Sequence, residues 1–458
     1  MSNVRPSGSL RLFCALLAAC SVAVAVAGCG AASHGEGAPA AEPSSLPGVD
    51  LAVDDSIGGV AAALDAAGRL HVAWLAEEAA GGNLPRRSLW VSRLDGDRWA
   101  TPQQLAGEAG APLVLVAAAD GLHLLAGPRL RHRLSDDGGT TWSDAGPLVP
   151  AGRRGRVFAA ATALPGGWVA AFMLHPRTPY ETAERTDAHR QRLFLFDARS
   201  GATTEVAAFE ASTSPPAAPA LAVAGGRLHV AVGLAVERPS GRTGGVGILG
   251  RLLHLSAPLD GGSWSQPADV LAGDGLLEGD LRDLDLAAGD GGLTLAWSAY
   301  SVFTAVSETG GTWSPPFHLN PYEVMAPRGD LASGEVALSP RGGRVAWVDG
   351  RFTRSDRRWW KPLGGLPWSD DTPFWANRDL FVGRPGGRGG EERLTADLAS
   401  AEHLAWAAGA EREALVWSGR RRVGRTPRAA GEPPEIFFHW SPRASSPAVA
   451  VLHNQPEE

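Results

Sequence analysis

Cysteine is nearly missing from these 458 residues. Cys14, Cys20 and Cys29 are the only three, and all lie within the first 29 positions. Whatever folds after Cys29 has no disulfide and no thiol site, so it must be held by its apolar core alone. Lysine is scarcer still. Lys361 is the only one, and every other basic side chain is an arginine able to make planar, bidentate contacts with carboxylates. Tyrosine is limited to Tyr180, Tyr300 and Tyr322. Helical periodicity is almost absent: no stretch sustains apolar residues at i, i+3, i+4 and i+7 between caps. Beyond the N-terminal region no run of 18 uninterrupted apolar residues occurs, so no spanning helix is expected. His-x-His, His-Glu-x-x-His and acidic calcium-loop spacings are missing, so neither a metal nor a cofactor is expected. The formal charge is −7, and near −9 without residues 1–28, which hold Arg5 and Arg11 and no acid. That sign argues against nucleic acid as a partner.

What is present begins with a targeting signal. Arg5 and Arg11 form a basic start, and an apolar stretch runs from Leu12 to Val26. Val26-Ala27-Gly28-Cys29 then looks like a bacterial lipobox, with the cysteine where an acyl chain would be attached. Residues 1–28 are read as a lipoprotein signal peptide and Cys29 as the lipidation site. Residues 29–50, rich in Ala, Gly, Ser, Pro and Glu, are read as a flexible tether. A diacylated N-terminus is a stable membrane anchor. Gly30 follows the cysteine in place of the aspartate associated with inner-membrane retention, so by resemblance to Gram-negative lipoproteins the outer membrane is favoured.

Residues 51–458 repeat a unit: an alternating strand, a Gly turn, an apolar strand, a loop, a third strand and a short outer strand. The apolar member is the clearest, as in Gly68–Leu75, Gly121–Ala126, Gly167–Met173, Gly226–Val232, Gly292–Trp297, Gly343–Val348 and Arg412–Trp417. The glycines fall 53, 46, 59, 66 and 51 residues apart, which are blade lengths of a β-propeller. The fold expected is an all-β propeller of four-stranded antiparallel blades, seven in number, with six as the alternative.

After four of the third strands comes a turn with a tryptophan. Ser135–Trp142 reads S-D-D-G-G-T-T-W, and worn copies occur at Asp95–Trp99, Asp260–Trp264 and Ser307–Trp313. Glycine supplies the positive φ of a tight turn, an aspartate accepts turn amides, and the tryptophan folds back onto the blade. The pattern resembles the Asp-box of sialidase-like BNR-repeat propellers. Ser135, Asp137, Gly139, Trp142, Asp260, Trp264, Ser307 and Trp313 are therefore read as structural. His71, His123 and His229 recur at one place in the second strand and are read as packing residues.

The resemblance implies a fold and not an activity. Sialidases use three arginines, a tyrosine with a glutamate partner, and an aspartate. The chain has no Arg-Ile-Pro motif near its first blade, and none of its tyrosines matches the family's nucleophile. Chemistry is expected on the face opposite the Asp-boxes, where the long loops lie. Asp349 and Arg351 stand in W-V-D-G-R, and the loop beyond holds Trp359, Trp360, Trp368, Asp370, Asp371 and Trp375, with Asp379 opening the next strand. Four tryptophans in one loop suit sugar stacking or a protein contact. Tyr322, Glu323 and Arg328 sit in the connection between the fifth and sixth units, and the third-unit loop carries Tyr180, Glu181, Glu184, Arg185, Asp187 and His189. The expected protein is a monomeric, lipid-anchored envelope propeller. It binds a glycan or an envelope protein through this face; the alternative is an exo-acting, sialidase-like glycoside hydrolase.

Overall fold

A computed structural model describes residues 44–45, 56–78, 86–107, 109–153, 155–176, 190–210, 216–239, 246–271, 276–278, 281–299, 301–319, 335–349, 379–387, 391–395, 398–421 and 435–442. Pro43–Glu458 forms one compact unit. It is built from seven antiparallel sheets. Blade 1 comprises β2 (Ser56–Leu64), β3 (Leu70–Glu78), β4 (Arg86–Asp95) and β5 (Arg98–Trp99), with β6 (Gln103–Ala106) also on β4. Blade 2 is β7 (Leu113–Ala118), β8 (Gly121–Ala126), β9 (Arg131–Ser135) and β10 (Ser143–Pro147). Blade 3 is β11 (Arg156–Leu164), β12 (Gly167–His175), β13 (Gln191–Asp197) and β14 (Ala202–Phe209). Blade 4 is β15 (Ala220–Ala224), β16 (Arg227–Pro239), β17 (Val246–Pro258) and β18 (Ala268–Asp269), with β19 (Leu276–Glu278) also on β17. Blade 5 is β20 (Asp283–Gly289), β21 (Gly292–Ser298), β22 (Val302–Ser307) and β23 (Phe317–His318). Blade 6 is β24 (Val336–Leu338), β25 (Val345–Asp349), β26 (Asp379–Gly383) and β27 (Glu392–Arg393).

Blade 7 closes the ring from both ends of the chain. Its inner three strands are β28 (Leu398–Ala408), β29 (Arg412–Arg421) and β30 (Glu435–Pro442), and its outer strand is β1 (Ser44–Ser45), paired with Phe438 and Phe437. So part of the stretch read as tether is a strand. A toroid has no covalent seam, and sewing the N-terminus onto the last blade supplies one in hydrogen bonds. Inner strands of successive blades contact one another around the circle, and β2 meets β28 to complete it. The expected seven-bladed propeller is what the chain builds.

The second strands are apolar because both of their faces meet neighbouring blades. β12 is buried along its whole length, and β29 buries Ala414, Leu415, Val416 and Trp417. Across from the second strand, the third strand offers an aromatic partner. Trp74 stacks on Trp90, Phe172 on Phe194, Trp297 on Phe303, Trp347 on Phe381, and Trp417 on Phe437. Five of the seven blades thus carry the same stacked pair, which is worth more than its buried area alone.

The turns after the third strands lock neighbouring blades together. In blade 2, Asp137 Oδ1 accepts the amides of Thr140 and Thr141 at 2.9 Å each, and Oδ2 accepts the Thr141 hydroxyl at 2.7 Å. These bonds, led by those of Thr141, hold the Asp137 carboxyl down to about 2. Gly139 has φ of 82° and sits on the His71 ring of blade 1. Arg93 of blade 1 donates to the Gly138 carbonyl and to the Thr140 hydroxyl. Blade 5 repeats the device. Gly310, at φ of 79°, rests on His254 and His229 of blade 4, and a Cβ there would lie 2.7 Å from His254 Cε1. Gly310→Ala therefore combines a left-handed backbone with overpacking against a ring that has no room to shift. We expect it to destabilise the domain by about 2–3 kcal/mol in chemical denaturation. An unchanged midpoint would mean that the turn does not bear on blade 4.

Candidate functional site

A propeller has two faces. The turns that join first to second strands and third to fourth strands lie on one, together with every Asp-box. The loops that join second to third strands, and those between blades, lie on the other. Inner strands start on this second face, and it is there that the chain places a polar arc around the central channel.

The arc begins on β20 with the sequence D-L-D-L. Asp283 Oδ1 accepts the Leu284 amide, and Oδ2 accepts the Val336 amide of blade 6, both at 2.9 Å. Two residues on, Asp285 repeats the arrangement with Leu286 at 2.8 Å and Leu338 at 2.6 Å. Side chains two apart in a strand share a face, so both carboxyls reach the same neighbour. An inner strand of a propeller has an unpaired edge along the channel, and buried amides left unpaired there would be costly. These carboxyls satisfy them and stitch blade 5 to blade 6.

Glu335 continues the arc from blade 6 to blade 7. Its Oε2 accepts the Leu404 amide at 2.7 Å, and Oε1 lies 3.1 Å from His403 Nδ1. His403 sits in a bulge of β28 with φ of 54°, between the paired residues Glu402 and Ala405, and bonds onward to the backbone of Ile57 in blade 1. From the bulge the ring reaches both Glu335 of blade 6 and the Ile57 backbone of blade 1. The arc therefore runs through blades 5, 6, 7 and 1.

Its charges are set by burial and by each other. Burial, then the Glu335 charge, lifts the Asp283 carboxyl to about 8 against the pull of its two amides. Burial lifts Asp285 to about 6 in the same way. For His403 burial works against the charge, but the Glu335 carboxylate outweighs it and raises the imidazole to about 9. At neutral pH the arc thus holds a protonated acid at Asp283 and a charged pair of Glu335 with His403.

Among the residues singled out from the sequence, Asp379 is 4% exposed inside blade 6. It accepts from Arg393 Nη2 at 2.8 Å, and the Thr395 hydroxyl that receives the Leu380 amide lies 3.5 Å away. The Asp349 backbone pairs with Asp379 at the end of β25. One residue earlier the Val348 amide donates to the Glu335 carbonyl at 3.1 Å, which ties the arc to the base of the tryptophan-rich loop. Arg351, Trp359, Trp360, Trp368, Asp370, Asp371, Trp375, Tyr322, Glu323 and Arg328 lie outside the described residues, as does the third-unit loop from Tyr180 to His189. Of the structural set, Ser307 is buried and receives the Gly310 amide, Trp313 lies edge-on to His254, and Trp264 packs against the core between blades 3 and 4. Asp260 is exposed in its turn, and Trp142 packs between blades 1 and 2. His71, His123 and His229 are buried as the packing reading requires.

Sequence reasoning missed the arc. Its signal was there: two acids alternating with leucine at the start of an inner strand, a position that burial on both faces should keep apolar. Among the described residues no group of three or more His, Cys, Asp or Glu is placed to hold a metal ion, and no helix is long and apolar enough to cross a membrane.

Known protein families and curated proteins give no match to this chain. Solved structures do. A Dyadobacter fermentans protein of unknown function is 10% identical, with 86% of this chain and 96% of that one covered and a TM-score of 0.42. The Trypanosoma rangeli sialidase, in its covalent complex with 2,3-difluorosialic acid, is 12% identical over 74% of this chain and 55% of its own, with a TM-score of 0.40. An α-L-arabinofuranosidase from Podospora anserina is 11% identical over 88% and 95%, with a TM-score of 0.34.

Proposed function

We propose that this chain is a lipid-anchored propeller of the bacterial cell envelope, held at the outer membrane through Cys29, which binds a glycan or an envelope protein through its long-loop face. The observation that carries the reading is the state of the described acids on that face. Asp283, Asp285, Glu335 and Asp379 are each engaged by amides, a histidine or an arginine. Such groups shape a rigid rim, and a rigid rim joined in sequence to a tryptophan-rich stretch suits recognition. The test is a glycan array and an envelope-protein pull-down with the purified protein. Replacing Trp359 and Trp360 together by alanine is expected to weaken the bound ligand at least tenfold, as loss of about 1.4 kcal/mol would. Binding that survives the double substitution unchanged removes the loop from the site. Metabolic labelling with an alkyne fatty acid tests the anchor: label is expected on the wild type and absent from Cys29→Ser.

One observation favours the hydrolase alternative. A carboxyl raised to about 8 beside a charged Glu335 has the protonation that a proton donor needs at neutral pH. Turnover of fluorogenic glycosides, abolished by Asp283→Asn or Asp349→Asn, would establish that reading and overturn the pure binding role.

A further inference from the structure

The Asp-box face holds two imidazole pairs built to one plan, buried in blade 4 and part-buried in blade 2. In blade 2, His123 Nδ1 lies 3.0 Å from His132 Nε2, and His123 Nε2 lies 3.0 Å from Asp120 Oδ1. In blade 4, His229 Nδ1 lies 3.1 Å from His254 Nε2, and His229 Nε2 lies 3.3 Å from the Ala224 carbonyl. Each second-strand histidine faces an acceptor through Nε2, so that nitrogen carries the hydrogen. Nδ1 is then the lone pair, and the third-strand histidine donates to it. Both pairs are stacked, with ring centroids 5.3 Å and 5.2 Å apart.

The next blade rests directly on each pair. Trp168 of blade 3 lies 4.8 Å from the His123 ring and 5.1 Å from the His132 ring. Gly310 and Trp313 of blade 5 cover His254. Charged groups around the first pair are Asp120, Asp144, Arg131 and Arg133, all from blade 2, while blade 3 presents the Trp168 ring. Around the second pair the charge is Arg227 of blade 4, and blade 5 presents the Gly310 backbone and the Trp313 ring.

Blade 5 holds the same slot without titratable groups. Its second-strand position is Thr294, and its third-strand position, across from Ala296, is Thr304. His254 lies across from Ala231 and His132 across from Leu125 in the corresponding registers. Thr304 accepts the Gly386 amide of blade 6 at 3.3 Å. The ring therefore contains two histidine junctions and one threonine junction of like construction.

We propose that the His123–His132 and His229–His254 pairs are an acid-sensitive latch that holds blade 2 to blade 3 and blade 4 to blade 5 near neutral pH and releases them in acid. A pair with one extra proton keeps its N–H···N bond but holds a charge against burial, which Asp120 offsets in part in blade 2 and Arg227 opposes further in blade 4. With two, both ring nitrogens at the contact carry hydrogens, and two cations face each other about 3 Å apart. Burial holds His132 and His254 at about 4. The stabilisation is therefore complete above the ordinary imidazole value of 6.5 and is lost as pH falls through about 4. Threonine at the blade 5 to blade 6 junction gives no such loss.

Hydrogen exchange by mass spectrometry at pH 7.5 and pH 4.5, corrected for intrinsic rates, tests this on the full chain. Segments carrying Trp168 and Ser307–Trp313 are expected to exchange at least tenfold faster in acid, while the segment carrying Gly386 exchanges no faster there. In His132→Thr with His254→Thr, the acid increase is expected to vanish. The same increase at Gly386, no increase anywhere, or an increase that persists in the double variant overturns the proposal. Should the double variant fail to fold, the imidazole resonances of the wild type decide. His132 and His254 neutral at pH 6 support the latch, and either one protonated at pH 6 overturns it.

Discussion

Replacing Asp283 and Asp285 together by alanine is expected to cost the propeller about 3–5 kcal/mol in chemical denaturation near pH 5. Four amides lose their acceptors, and two of these belong to blade 6. An amide stranded away from water costs about 1–3 kcal/mol, and water in the channel recovers part of that sum. The single change Asp283→Asn should fall between wild type and alanine. Asparagine has one acceptor oxygen, so its NH2 must face either the Leu284 or the Val336 amide. The cost should also depend on pH, with a definite sign. Asp283 is raised to about 8 and Asp285 to about 6, both above the ordinary 3.8. Groups raised on folding give their full contribution below the unfolded value and lose it as pH rises through the folded one. The wild type therefore weakens between about pH 4 and pH 8 at these positions, and the double variant does not. The gap between the two proteins should narrow as pH rises to 9. A gap that stays constant would mean that the amides win over burial and that both acids are charged throughout.

The seven repeats were legible because each rests on a local pattern. Glycines before the second strands, apolar runs and a tryptophan after a D-x-G turn depend on near neighbours in sequence, and such signals survive without knowledge of the fold. The Asp-box aspartate could be assigned to a turn for the same reason: Asp137 bonds to Thr140 and Thr141, three and four residues away. The arc was not legible, because its partners are distant. Asp283 meets Val336, and Glu335 meets Leu404. Recognising those bonds requires knowing which inner strands stand side by side. His132 and His254 were invisible for a related reason. Each pairs diagonally with a histidine across a strand register, and neither belongs to the repeated G-x-L-H pattern that marked His71 and His229. Ser44–Ser45 could not be read as a strand at all. Two serines have no periodicity, and only the open edge of β30 gives them a partner.

Trp417→Ala is expected to destabilise the domain by about 3–5 kcal/mol, while Trp417→Phe changes it by less than about 1 kcal/mol. Trp417 is fully buried between blades 6 and 7 and stacks on Phe437 with ring centroids 5.8 Å apart and planes 21° from parallel. Alanine would leave a cavity between Leu380, Leu415 and Phe437 that three packed strands have little freedom to fill. Phenylalanine keeps the stack and loses only part of the volume. It also removes a liability, because the Trp417 indole Nε1 is buried without a hydrogen-bond partner. An unsatisfied buried donor costs about 1–3 kcal/mol, so its removal offsets most of the lost contact. Trp74 and Trp297 share both the stacked partner and the orphaned nitrogen, and the same pair of substitutions should behave alike there. A Trp→Phe cost as large as that of Trp→Ala would mean that the indole itself, and not the filled volume, governs the position.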